Sequence, residues 1–141
     1  GRLVTQRAIK MNIFNPQRLP GICFIFVVIA LSSITLASAS NKWRVHFSES
    51  AHSDGVITFE IAPEGSAAFQ VSVEIADETH ENQVAQTVAD TLVAQLPANK
   101  FHVEVDDGED VLIKKRLGTE DFGLRLLSNT VESVLINLDR E

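Results

Sequence analysis

Cysteine is nearly absent from this chain. Its 141 residues hold one, Cys23, with one methionine, one tryptophan and no tyrosine. A single cysteine excludes an internal disulfide and a multi-thiolate metal site. There is no Asn-x-Ser/Thr sequon, and no Gly-x-Ser-x-Gly turn of the kind that presents a nucleophilic serine. No pair of histidines stands four apart around a glutamate in the metalloprotease pattern. The patterns that most often reveal a hydrolase or a structural metal are therefore missing.

The long apolar run is short for a membrane span. Residues 22–31 are Ile-Cys-Phe-Ile-Phe-Val-Val-Ile-Ala-Leu, with Arg18 as the nearest basic residue before them. Five polar hydroxyl residues follow between Ser32 and Ser40, and Ala37-Ser38-Ala39 supplies small residues for a peptidase. A basic start, a short apolar core and a small-residue cleavage site describe a secretory signal peptide. Met11, the only methionine, is the expected start, so residues 1–10 read as an upstream or tag-like extension. Residues 11–39 are the expected leader, with cleavage before Ser40, and residues 40–141 one small domain. An uncleaved anchor over residues 21–39 is the alternative, although it would want about 20 mainly apolar residues.

Removing the leader makes the chain strongly acidic. Arg2, Arg7, Lys10 and Arg18 leave with it, while all nineteen acidic residues stay, so the net charge moves from −7 to −11. Such a domain repels phosphate backbones and anionic lipid, which excludes nucleic acid as a partner, and no membrane contact is expected after cleavage. Cys23 also leaves, so the domain folds by packing alone, without thiol chemistry. These absences fit export to a bacterial periplasm or beyond.

Apolar residues recur with period two over most of residues 40–141, the mark of half-buried strands. Trp43, Val45 and Phe47 alternate with Arg44 and His46. Ile57, Phe59 and Ile61 follow, then Phe69, Val71, Val73 and Ile75, with turns at Ser53-Asp54-Gly55 and Pro63-Glu64-Gly65-Ser66. The period then changes. Val84, Ala85, Val88, Ala89, Leu92, Val93 and Leu96 form the apolar face of a helix, capped by Thr79 or Asp77 and stopped by Pro97. Phe101, Val103 and Val105 start a hairpin that returns through Val111 and Ile113. Val103 opposes Ile113, and Gly108 supplies a positive φ at the turn. A second hairpin is expected from Phe122, Leu124 and Leu126 through Ser128-Asn129-Thr130 to Val134, Ile136 and Leu138. The fold class is thus α+β: a mainly antiparallel sheet in the order β-β-β-α-β-β-β-β, with one amphipathic helix on one face. Seven strands exceed what one helix covers, so a curled sheet or partial sandwich is expected. The pattern is similar to strand–helix–hairpin modules in bacterial surface and phage tail proteins, with no residue signature behind the likeness.

Two polar clusters are the candidates for chemistry. His46, Ser48, Glu49, His52 and Asp54 bring imidazoles and carboxylates together. His46, His52 and Asp54 are the possible metal ligands, although their spacing matches no known motif. Asp106, Asp107, Glu109 and Asp110 place four carboxylates around one turn, oxygen ligands that suit calcium but lack the EF-hand spacing. A solvated loop and a solvated turn are the preferred readings, so no cofactor is expected. Lys114-Lys115-Arg116, the only basic run, is read as a guard on an edge strand. His80 and His102 are read as solvated, and Trp43 as core.

The function implied is a non-catalytic binding or structural role at the periplasm or cell surface, with a protein or surface partner. A small exported enzyme or enzyme inhibitor is the first alternative, and a self-assembling surface or tail-like subunit the second. A pocket of histidines or carboxylates with shifted pKa values distinguishes an enzyme. An open strand edge or flat apolar patch distinguishes a binding module.

Overall fold

The computed structural model describes residues 38–141. The expected leader, its apolar run at 22–31, Cys23 and the extension at 1–10 lie outside the described residues. Among the described residues, seven strands and one helix follow in the expected order. They are β1 Lys42–Ser48, β2 Gly55–Pro63, β3 Phe69–Ile75, α1 Glu81–Gln95, β4 Phe101–Asp106, β5 Asp110–Lys115, β6 Phe122–Asn129 and β7 Leu135–Arg140. All ladders are antiparallel.

The strands divide into two sheets. One has the order β4-β5-β1-β7 and the other β3-β2-β6. The first hairpin forms in the expected register, with Val103 opposite Ile113 and His102 opposite Lys114. Gly108 has φ 79°, and Asp107 beside it φ 50°.

The second hairpin does not form. β6 pairs with β2, and β7 pairs with β1 in the other sheet. The linking residues explain the difference, because Val131 and Val134 are buried. A hairpin turn would expose them, whereas a segment crossing between two layers about 10 Å apart buries them. The crossing is held by the His52 N–H on the Glu132 carbonyl and the Glu132 N–H on the Ser53 hydroxyl. It lies so close to Gly55 that a Cβ there would stand 2.8 Å from the Thr130 carbonyl.

The inner faces of both sheets and α1 share one core. Val45, Phe47, Ile57, Phe59, Ile61, Val71, Val73, Val84, Val88, Ile113 and Phe122 are fully or almost fully buried in it. Trp43 is buried too, and its indole N–H donates to the Phe122 carbonyl at 2.8 Å, so the core reading of Trp43 holds. The helix packs on β1, β3, β4 and β5 through Val84, Ala85, Val88, Ala89 and Leu92. Val93, expected on that stripe, is 57% exposed.

The helix cap differs from expectation. His80 is the N-cap, its Nδ1 accepting from the Asn82 N–H. The Thr79 hydroxyl is engaged with the Ala76 carbonyl at 2.6 Å and is not available. The helix ends at Gln95, with Leu96 as C-cap just before Pro97.

Val88 is fully buried mid-helix, while Thr87 beside it is half-buried and bonds the Gln83 carbonyl. Val88→Asp places an unpaired carboxylate in the core and should cost about 3 kcal/mol or more. Thr87→Asp should cost much less. Equal thermal midpoints for the two variants would contradict the packing of α1.

Candidate functional site

Alternation along β1 sends Lys42, Arg44, His46 and Ser48 to the outer face of the four-stranded sheet, opposite the core residues between them. The registers bring Lys114, Leu112 and Asp110 beside them on β5, and Asp139 and Asn137 on β7. His102, Glu104 and Asp106 complete the face on β4. This is the densest polar constellation among the described residues.

Arg44 is its hub. The guanidinium bonds Asp110 at 2.5 Å, Asp106 at 3.0 Å and Glu141 through its Nε. Those partners hold the Arg44 proton more firmly than usual. His46 Nδ1 lies 2.6 Å from the other Asp110 oxygen. Asp110 is 9% exposed. Burial alone would raise its pKa, but the bonds from His46 and Arg44 outweigh that and leave it below its ordinary value. Glu141 is lowered by bonds from Arg44 and Lys42. On β4, Glu104 is lowered by bonds from His102 and Lys114. Beneath this layer Leu112, an apolar residue on the outer face, is only 5% exposed.

The structure thus draws one member from each predicted cluster into a pair, His46 with Asp110. The other members go elsewhere. His52 Nδ1 is 2.9 Å from the Ser133 hydroxyl, and the Asp54 carboxylate accepts the Asp77 N–H. The Glu49 N–H bonds Glu81. Asp106 and Asp110 turn to Arg44, leaving Asp107 and Glu109 at the turn. Among the described residues, no three His, Cys, Asp or Glu side chains are grouped so as to hold a metal ion.

Arg44 itself gave no sequence signal beyond being the polar member of an alternating strand. The basic run is also placed differently from expectation. β5 lies between β4 and β1, so it is not an edge and needs no guard. Lys114 pairs with Glu104 and Lys115 with Asp121, while the Arg116 Nε bonds the Ala98 carbonyl. His80 is the helix cap, and His102 pairs with Glu104 on the exposed face.

No protein-family model matches the chain, and no curated protein matches it.

Two outcomes follow from the Arg44 network. Asp110 stays ionised to lower pH in the folded chain than in the unfolded one. Its stabilisation is therefore full above its ordinary value of 3.8 and is lost as pH falls through the lower folded value. Asp110→Asn should cost about 1–3 kcal/mol at neutral pH, the scale of hydrogen bonds to charged groups. It should also flatten the acid limb of a urea-midpoint profile, and an unchanged acid limb would contradict the pairing. Separately, millimolar calcium or a chelator should leave the thermal midpoint unmoved, since Asp106 and Asp110 are already engaged by Arg44. A calcium-dependent rise abolished by Asp107→Asn would restore the turn as a cation site.

Proposed function

We propose that residues 40–141 form an exported acidic domain that binds a protein or surface partner without catalysis. One observation carries this reading: strands at the sheet ends offer backbone groups that no described residue pairs. On β7, the Glu141 N–H bonds the Lys42 carbonyl, continuing the ladder with β1. In that alternation Arg44–Asp139 and His46–Asn137 are the bonded pairs. Ile136, Leu138 and Arg140 therefore turn their N–H and C=O groups outward. On β4, the Arg116 N–H bonds the Lys100 carbonyl, so Phe101, Val103 and Val105 are the outward residues. Such edges are templates for an added strand.

The enzyme alternative has less support. The imidazole and carboxylates of the outer face are engaged with one another on an open sheet and do not converge on a cavity. The export reading is supported by Ser40. Its backbone exchanges two 2.9 Å bonds with Phe122. Cleavage after Ala39 leaves those bonds intact. Among the described residues no helix is long and apolar enough to cross a membrane.

Intact mass of the protein from the exported fraction should correspond to a chain beginning at Ser40. A mass retaining residues 22–31, in membranes, would favour an anchor. A photoreactive side chain at Asn137 or His102 in the exported protein should give discrete adducts with another protein. Adducts with its own kind alone would favour the self-assembling subunit, and no adducts at either edge would remove the binding role.

A further inference from the structure

Resting on that binding role, we infer that the groove between α1 and β4 takes the extended carboxy-terminal tail of a partner protein. The tail adds antiparallel to β4, and its terminal carboxylate sits between Arg116 and Lys100.

Three observations meet there. The first is apolar. A groove of about 250 Å³ lies between the end of α1 and β4, lined by Leu92, Val93, Leu96, Phe101, Val103 and Arg116 among others. Val93 is 57% exposed beside it, and Val103 and Val105, core-facing on β4, are only half-buried. These positions are apolar at core spacing yet left uncovered. They are the partners that alternate side chains of an added strand would meet.

The second is the backbone. β4 ends its sheet, and its outward residues flank this groove. The Phe101 N–H is already satisfied by the Pro97 carbonyl at 3.1 Å. The N–H and C=O groups of Val103 and Val105 have no hydrogen-bond partner among the described residues. A strand laid here gains main-chain hydrogen bonds and buries its inward side chains against α1 in the same step.

The third is charge, and it fixes direction. Carboxylates outnumber cations nineteen to eight among residues 38–141. Five of those eight cations are in ion pairs: Lys42, Arg44, Lys114, Lys115 and Arg125. Lys100, Arg116 and Arg140 are not, and the first two are neighbours, joined by the 2.8 Å bond from the Arg116 N–H to the Lys100 carbonyl. The Arg116 Nε holds the Ala98 carbonyl at 2.6 Å, which anchors the side chain. Its two terminal nitrogens bond no described residue. Both cations stand at the Phe101 end of β4, where a strand antiparallel to β4 ends. Arginine matches a carboxylate in geometry as well as charge. A chain end brings a carboxylate to that point on its main chain, directly in line with the added strand, without needing an acidic side chain there.

The test uses immobilised random short peptides with free carboxyl ends, and the same peptides with amidated ends. The exported protein should select free ends with apolar residues at alternate positions, and amidation should weaken binding about tenfold or more, the scale of a lost charge-assisted contact. Arg116→Gln should shrink the difference between acid and amide, and Arg116→Gln with Lys100→Gln should abolish it. Val103→Pro removes an outward N–H that the β4–β5 ladder does not use and should abolish binding, and a Val103→Ala control, which shares the loss of core packing but keeps the N–H, should retain it. Val93→Asp, at an exposed position, should weaken binding likewise. Equal binding of acids and amides, or selected peptides that shift β7 amide resonances and not those of β4, would overturn the assignment. If that happened while cross-linked adducts persisted at Asn137, the binding role would stand and only the groove would be lost.

Discussion

Two sheets that share no ladder must be joined by something else, and here that joint is Phe122. Its carbonyl accepts both the Ser40 N–H and the Trp43 indole N–H, and its own N–H returns a bond to Ser40. Its ring is buried edge-to-face on Phe101, 5.2 Å between centroids, and Phe101 meets Phe69 the same way at 6.0 Å. One residue at the start of β6 thus fixes the starts of β1, β4 and β3. Each hydrogen bond contributes about 1 kcal/mol net, and each aromatic pair about 0.5–1.5 kcal/mol beyond its buried area. They act at one point, so losing any of them loosens the others. The alternation on β1 then follows: with Trp43, Val45 and Phe47 turned inward, Arg44 and His46 must face out.

That outward placement sets the chemistry of the sheet face. Arg44 is bonded by three carboxylates, and no group in the network is aimed at an enclosed space. A general acid or base needs a shifted pKa and a substrate within reach. Here the shifts lower carboxylates that are already ionised at neutral pH, which stabilises the face without readying it for proton transfer. The network also closes over Leu112, so this face presents charge and not an apolar patch. Unmet bonding capacity is left at strand edges and at the Lys100–Arg116 corner.

Much of this fold is legible because period-two patterning reports which way a side chain faces. The faces of β1 to β5, the helix, and the Val103–Ile113 register all follow from it. Pairing is another matter, since a face does not name a neighbour. β6 and β7 alternate as a hairpin would, yet only the burial of Val131 and Val134 shows that the chain crosses between layers. Lys114 and Lys115 resemble edge guards until β1 is seen beside them. The Arg44 hub could not be read either, because its partners stand 62, 66 and 97 residues away. Val93 has core spacing, but it sits where the helix passes the end of a sheet, and three- and four-residue steps do not tell a covered flank from an open one.

The net charge bears on whether such open edges pair with one another. Residues 38–141 carry eight basic and nineteen acidic residues, a net charge of −11, so two such domains repel as they approach, which opposes β7-to-β7 pairing, and screening confines that repulsion to about 8 Å at physiological salt. An open edge is therefore guarded by the field of the whole domain, where other sheets place lysine or proline on the strand itself. The same field turns away a polyanion. A single carboxylate at the end of an otherwise neutral or basic tail meets little of it, because Lys100 and Arg116 act at contact, where screening is weakest. On the proposed reading, negative charge spread over the domain and two cations at one corner act together: the first opposes approach of a second copy, and the second favours one carboxylate at one end of one groove.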